Sequence, residues 1–217
     1  GVVLPSCLAA IQRTRESWQP GHLPINPPLR AADVQPALGG LSPVAARPPT
    51  MSTDPQSSGE AARLQALHAC RVLDTPPELE FDDVARLAAL TCGAPIALVS
   101  FVDAERQWFK AKVGLAASET PRRVAFCAHA IADDRLFLVP DASHDERFAD
   151  NPLVTGEPHV RFYAGVPIVT ADGHRLGTVC VIDTEPRQLD EDQRIALRAP
   201  AGQVAKLLEL RRASAAL

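Results

Sequence analysis

A chain of 217 residues is long enough for one domain with additional sequence and too short for two full domains joined by a linker. It is 46% hydrophobic and 22% charged with a net charge of -4, which fits a globular protein and argues against a nucleic-acid binder, since that would need a basic face. No apolar run reaches the length of a membrane-spanning helix, and the briefly apolar start, Gly1 to Ala10, lacks the basic region and cleavage site of a signal peptide.

A cytoplasmic protein is therefore expected. The cysteines agree with this. Cys7, Cys70, Cys92, Cys127 and Cys180 are widely spaced and odd in number, and no two form a Cys-x-x-Cys pair, a pattern that suits reduced thiols better than a disulfide framework or a zinc site.

Half of the 20 prolines precede Gln56, and Trp18 is the lone aromatic residue of that stretch. Such a segment has too little apolar surface to offset its chain entropy, so residues 1–57 are expected to be a disordered leader. The chain begins with glycine, and its single methionine is Met51, followed by a polar run. Translation starting at Met51 is one reading of this; a natural leader is the other.

Ala61, Leu64, Leu67 and Cys70 recur at helical spacing, which predicts an amphipathic helix over about 60–71, stopped by Thr75-Pro76-Pro77. Phe81, Val84, Leu87, Ala88 and Thr91 mark a second helix, closed by Gly93 and Pro95. The pattern then shortens. Ile96 to Val102 is apolar nearly throughout and reads as a central strand. Arg106 to Val113 alternates, with Trp108, Lys110 and Lys112 on one side and Phe109, Ala111 and Val113 on the other; it reads as an outer strand whose lysines guard an edge.

Leu136 to Val139 is a short third strand. Phe162 to Val169 and Arg175 to Asp183 flank Ala171-Asp172-Gly173-His174, and Asp-Gly between apolar strands is a hairpin signal. A last helix starts at Asp190, with Gln193 placed to complete a capping box, and a kink or break is expected at Pro200. The sum is an α+β domain with an antiparallel sheet and packed helices.

The segments Arg71 to Glu78, Pro95 to Ser100, Arg106 to Lys110, Phe126-Cys127-Ala128-His129-Ala130-Ile131, Val139 to Ala142, Arg147 to Pro152, Arg161 to Gly165 and Leu176 to Asp183 together resemble a GAF domain, of the kind found in bacterial sensor kinases and cyclic-dinucleotide enzymes. The resemblance implies a domain over 58–213 with a short tail, 214–217. It implies a central antiparallel sheet with the first and last helices on one face, usually the dimer-forming side, and a ligand pocket on the other, beneath a crossover from Val124 to Val160. The implied function is small-molecule sensing in bacterial signal transduction, as in two-component systems, through repacking of the terminal helices. The implied partners are a second copy or a signalling protein, with neither nucleic acid nor membrane.

Within that frame Cys127 and His129 sit near the predicted start of the crossover helix, where amides and dipole lower a thiol's pKa; the bland reading is a small buried cysteine and a structural histidine. Asp141, Arg147, Arg161 and Tyr163 are candidate polar groups around an apolar cavity walled by Phe126, Ile131 and Phe148; otherwise Asp141 caps a turn and the arginines pair locally. The fifteen-residue spacing of His129, His144, His159 and His174 matches no metal motif. Metal, nucleotide and nucleophile signatures are missing, so no cofactor is assigned and a non-enzymatic module is expected. The alternatives are a dimerisation module with a vestigial pocket and a thiol-based free methionine sulfoxide reductase using Cys127 and Cys180.

Overall fold

The computed structural model describes residues 55–215, with side chains from 59 to 214. Residues 1–54 of the expected leader and the Met51 reading lie outside these residues, whereas 55–57, also expected to be disordered, open a helix. Helix α1 (Pro55–Ala69) begins earlier than the periodicity predicts, with Pro55 at the first helical position, where its missing N–H costs nothing. Helix α2 (Leu79–Cys92) buries Phe81, Val84, Ala85, Ala88 and Cys92. It ends at Gly93, whose φ of 59° is the left-handed conformation that glycine takes most cheaply.

Strands β1 (Ile96–Val102), β2 (Arg106–Val113), β3 (Glu119–Pro121), β4 (Phe137–Val139), β5 (Phe162–Val169) and β6 (Arg175–Asp183) form one antiparallel sheet in the order β3-β2-β1-β6-β5-β4. β1 is buried at every position, as a strand covered on both faces must be. The β5–β6 hairpin turns at Gly173, φ 84°, as Asp-Gly predicts.

Two expectations about β2 are corrected. It is not the edge, because β3 pairs outside it. Its faces also differ from simple alternation. Val99 faces Ala111 while Ser100 faces Phe109, so Lys110 is the extra residue of a β-bulge. The bulge puts Ala111 and Val113 on the same side as Trp108. Lys110 is no edge guard: its side chain is fully buried against Glu78.

A 3-10 turn (Arg122–Val124), α3 (Phe126–Ala130) and α4 (Pro152–Thr155) lie in the crossover. The capping box forms as expected, the Gln193 N–H reaching Asp190 Oδ1 at 2.8 Å and the Asp190 N–H reaching Gln193 Oε1 at 3.1 Å. It opens α5 (Glu191–Ala196), and α6 (Arg198–Ala215) follows after a break. The break falls at Leu197, directly after the residue at i−4 from Pro200, Ala196, whose carbonyl a proline ring clashes with, while Pro200 itself sits in the tolerant first turn of α6.

Leu67, Phe81, Val84, Val204 and Leu208 of the helices pack on Val99, Phe101, Phe162 and Val179 to make one core. Phe126, Cys127, Ile131, Phe148 and Val154 of the crossover pack on Leu98, Phe109, Tyr163 and Cys180 to make the other. The terminal helices and the crossover thus hold opposite faces of the sheet.

Candidate functional site

Four strands aim polar side chains at one sulfur under the crossover. Ser100 on β1, Gln107 on β2, Tyr163 on β5 and Thr178 on β6 are all buried. Their donors lie 3.3, 3.0, 3.2 and 3.0 Å from Cys127 Sγ, and Cys180 Sγ is 3.8 Å from it. Register explains the convergence: Ser100 faces Thr178 across the β1–β6 ladder, and their hydroxyls are 3.2 Å apart. The donors are strand side chains, so the expectation that the helix's own amides act on the thiol is replaced by this cage; α3 is only 5 residues long.

A neutral thiol has its own proton to place and accepts weakly. Convergence of these donors on one sulfur favours the thiolate form of Cys127 over the thiol. Burial alone raises its pKa, but hydrogen bonds from Cys180, Ser100, Thr178 and Tyr163 outweigh that and bring it down to about 7. Cys180 is pushed well up by its bond to Cys127 and by burial. Tyr163 is also raised, by burial and by negative charge at Cys127.

Aromatic rings fill the space beside the cage. Phe126 stacks on Phe148 at 4.1 Å and lies 5.3 Å from the Tyr163 ring, and Phe137 meets Tyr163 and Phe148 edge-on at 5.9 and 6.1 Å. Side chains therefore occupy the interior that the sequence reading treats as an apolar cavity. Ile131 is buried in the same core.

His129 stands at the outer margin, edge-on to Phe148 at 4.8 Å, with its pKa lowered by burial and then by Arg147. The Arg147 guanidinium covers Phe137 and Phe148 at 4.8 and 5.3 Å and is anchored on Asp145. Asp141 and Arg161 are used locally. Asp141 accepts from the Ser143 N–H and pairs with His144, and Arg161 donates to the carbonyls of Val154, His159 and Val160.

Open space lies on the solvent side of α3. One groove of about 470 Å³ is lined by Glu105, Arg122, Arg123, Ala128 and His129. Another of about 400 Å³ is lined by Arg63, Arg122, Ile131, His174 and Arg175 among others. His129 and Ile131 are thus the candidates that face accessible volume. Among the described residues no group of three or more His, Cys, Asp or Glu is arranged to hold a metal, and no helix is long and apolar enough to cross a membrane.

Sequence reasoning missed Ser100, Gln107 and Thr178. The usable signal was polarity inside buried strands, because a buried polar residue is more informative than a buried apolar one.

An antiparallel sheet with terminal helices on one face and a folded crossover on the other defines a class of α+β module. A model described as GAF domain matches residues 76–208, and the chain belongs to that family. It is 45% identical over 137 residues to the cyclic di-GMP phosphodiesterase PA2567 of Pseudomonas aeruginosa, a match covering 63% of this chain and 23% of that protein. The chain therefore spans less than a quarter of that relative. Among solved structures, the GAF domain of a phosphoenolpyruvate-protein phosphotransferase from Coxiella burnetii superposes with a TM-score of 0.53 at 18% identity, covering 71% of this chain and 97% of that one. The free methionine-R-sulfoxide reductase of Neisseria meningitidis does so at 0.51 and 17%, covering 75% and 95%. At such identities these two speak for the fold alone.

Proposed function

We propose that this chain is a regulatory GAF module of cyclic-dinucleotide or two-component signalling, working in the cytoplasm as a homodimer or on a signalling partner, and that it performs no catalysis itself. The observation carrying this is the extent of the likeness to the phosphodiesterase: 45% identity over 137 residues that make up 23% of that protein. The shared part is the size of one domain, and the proposal concerns that domain.

The proposed sensing site is the crossover. His129 and Ile131 face open grooves, Phe126, Cys127, Phe148 and Tyr163 form the wall behind them, and Arg147 sits at the rim. Asp141 and Arg161 hold the loops on either side. With Arg122 already paired with Glu60, the groove offers the Arg123 guanidinium beside His129 to a small anion. A ligand that shifts α3 acts on Tyr163, and β5 carries on its other face Phe162 and Ala164, which belong to the helix-side core. That route reaches α6. It operates only if ligand affinity differs between the two helix arrangements.

The filled aromatic interior favours a second reading, a dimerisation module whose pocket is vestigial. Thermal unfolding of the full chain with cyclic di-GMP, GMP and small dicarboxylates separates the two. A ligand at a hundredfold excess over its Kd adds about 2.7 kcal/mol, or roughly 5–10 °C, and Arg123→Ala removes the gain. No shift with any of these anions sends the assignment to the second reading. Turnover of cyclic di-GMP or of free methionine sulfoxide by the chain would overturn the non-catalytic assignment.

A further inference from the structure

The sulfur cage is more than a packing solution. Cys70 and Cys92, also free and buried, have pKa values raised mainly by burial, as expected of thiols that serve as small apolar residues. Among the described cysteines, Cys127 is the one with four polar donors within 3.3 Å and a second sulfur at 3.8 Å. A group of this kind, with a nucleophilic sulfur stabilised as an anion and a partner thiol beside it, is equipped for two-electron chemistry.

We propose that Cys127 and Cys180 are a peroxide-responsive thiol pair, oxidised by a hydroperoxide to a disulfide that tethers α3 to β6. In the first step the Cys127 thiolate attacks the distal oxygen of the hydroperoxide. An S–O bond forms, the O–O bond breaks, and the departing alkoxide or hydroxide takes up the proton lost by Cys127. Cys127 is then a sulfenic acid. In the second step Cys180 Sγ attacks that sulfur. The S–S bond forms, the S–O bond breaks, and hydroxide leaves with the Cys180 proton as water. The balance is two thiols and one hydroperoxide giving one disulfide, one water and one alcohol, or two waters when the oxidant is hydrogen peroxide. A dithiol reductant returns the pair by exchange.

The sulfurs must close from 3.8 Å to about 2.05 Å. Cys180 is fixed in β6 between β1 and β5, so the movement falls on the short helix α3. The disulfide also removes the acceptor that Ser100, Gln107, Tyr163 and Thr178 share. Access is through α3 itself: the next two residues, Ala128 and His129, line the open groove, so a brief opening of one helical turn exposes Cys127 to an oxidant of this size. Any effect on α6 rests on the regulatory reading above; the chemistry at the two sulfurs does not.

The test treats the reduced full chain with hydrogen peroxide, then alkylates it under denaturing conditions and maps peptides by mass spectrometry. The expected result is a linked Cys127–Cys180 peptide, with Cys127 consumed roughly tenfold faster than Cys70 and Cys92. Cys180→Ser is expected to stop at a Cys127 sulfenic acid trapped by dimedone, and Cys127→Ser to leave Cys180 reduced. The site-resolved competition in the unmutated chain stands even if a variant fails to fold. Equal consumption of the cysteines, or a disulfide to any other cysteine, overturns the proposal. Hydrogen exchange across α6 before and after oxidation separates the two readings. A disulfide with unchanged α6 protection keeps the thiol pair and removes the helix coupling, whereas no disulfide removes the pair and leaves the GAF assignment as it was.

Discussion

The Tyr163 ring lies across Gly165 on β5: a Cβ built on Gly165 would stand 2.2 Å from the Tyr163 hydroxyl and 2.7 Å from Cζ. Glycine at this position is what lets the ring lie flat over its own strand and place the hydroxyl 3.2 Å from Cys127 Sγ. Gly165→Ala is expected to drive Tyr163 off the sulfur. As an overpacking change in a buried core it should cost roughly 1–3 kcal/mol, and with one donor gone the midpoint for alkylation of Cys127 should move to higher pH. Tyr163→Phe keeps the ring and removes only the hydroxyl, so the same rise in midpoint should come with a smaller loss of stability. Thermal unfolding together with pH-dependent alkylation checks both, and an unmoved midpoint in both variants would take Tyr163 out of the cage.

Lys110 is the most deeply buried lysine or arginine among the described residues. Its side chain is fully buried and its ammonium is met by Thr75 Oγ1 at 2.6 Å, the Pro76 carbonyl at 2.7 Å and Glu78 Oε1 at 2.5 Å. Glu78 is in turn bound by Arg211 of α6, so one carboxylate joins the bulge in β2 to the last helix. Glu78→Gln leaves the ammonium without its counter-charge. The expected cost lies toward the lower end of about 3–5 kcal/mol, because the Glu78 side chain is itself 30% exposed. Lys110→Met should cost less, since Glu78 keeps Arg211. Urea unfolding of both variants is the measurement, and equal losses would mean that the pair is not the controlling contact.

Acid should weaken the domain in a defined window. The hydrogen bond from Arg63 to Glu60, opposed by burial and aided by Arg122, lowers the Glu60 pKa from 4.5 to about 2. A carboxylate depressed in the folded state adds stability that is fully present above its unfolded pKa and is lost as the pH falls through the folded one. Stability should therefore decline between pH 4.5 and about pH 2, and Glu60→Gln should flatten part of that limb. Denaturant titrations across this range test it; a variant with an acid limb as steep as the unmutated chain would assign the loss to other carboxylates.

What was legible in the sequence was what local chemistry specifies. Asp190 with Gln193, Asp172-Gly173 and the apolar run Ile96 to Val102 each carry their own signal, and each gives the element expected. The bulge at Lys110 does not, because an extra residue in a ladder is visible only once the partner strand is in register. β3 and α4, at 3 and 4 residues, are too short to show a period. The site was half legible. Cys127 and Tyr163 stand out as residue types, whereas Ser100, Gln107 and Thr178 join them only through pairing between strands distant in sequence. The filled interior was not legible at all, since Phe126, Phe137 and Phe148 line a cavity or close one depending on their angles and not on their order.

That last point can be turned into an experiment. Phe148 is 1% exposed and stacks on Phe126 with an interplanar angle of 12°. Truncation removes the stack, the edge contact with Phe137 and the ring under Arg147 together. Phe148→Ala should therefore lose about 3–5 kcal/mol, transfer and cavity terms combined. An apolar void of this kind stays dry and takes up small aromatic molecules, so saturating benzene or indole should raise the melting temperature of the variant and leave the unmutated chain unchanged. A rescue confined to the variant means that Phe148 itself plugs a site the fold is built to enclose. Equal stabilisation of both chains would mean instead that the stack opens on its own, and the aromatic interior would then be an entrance and not a wall.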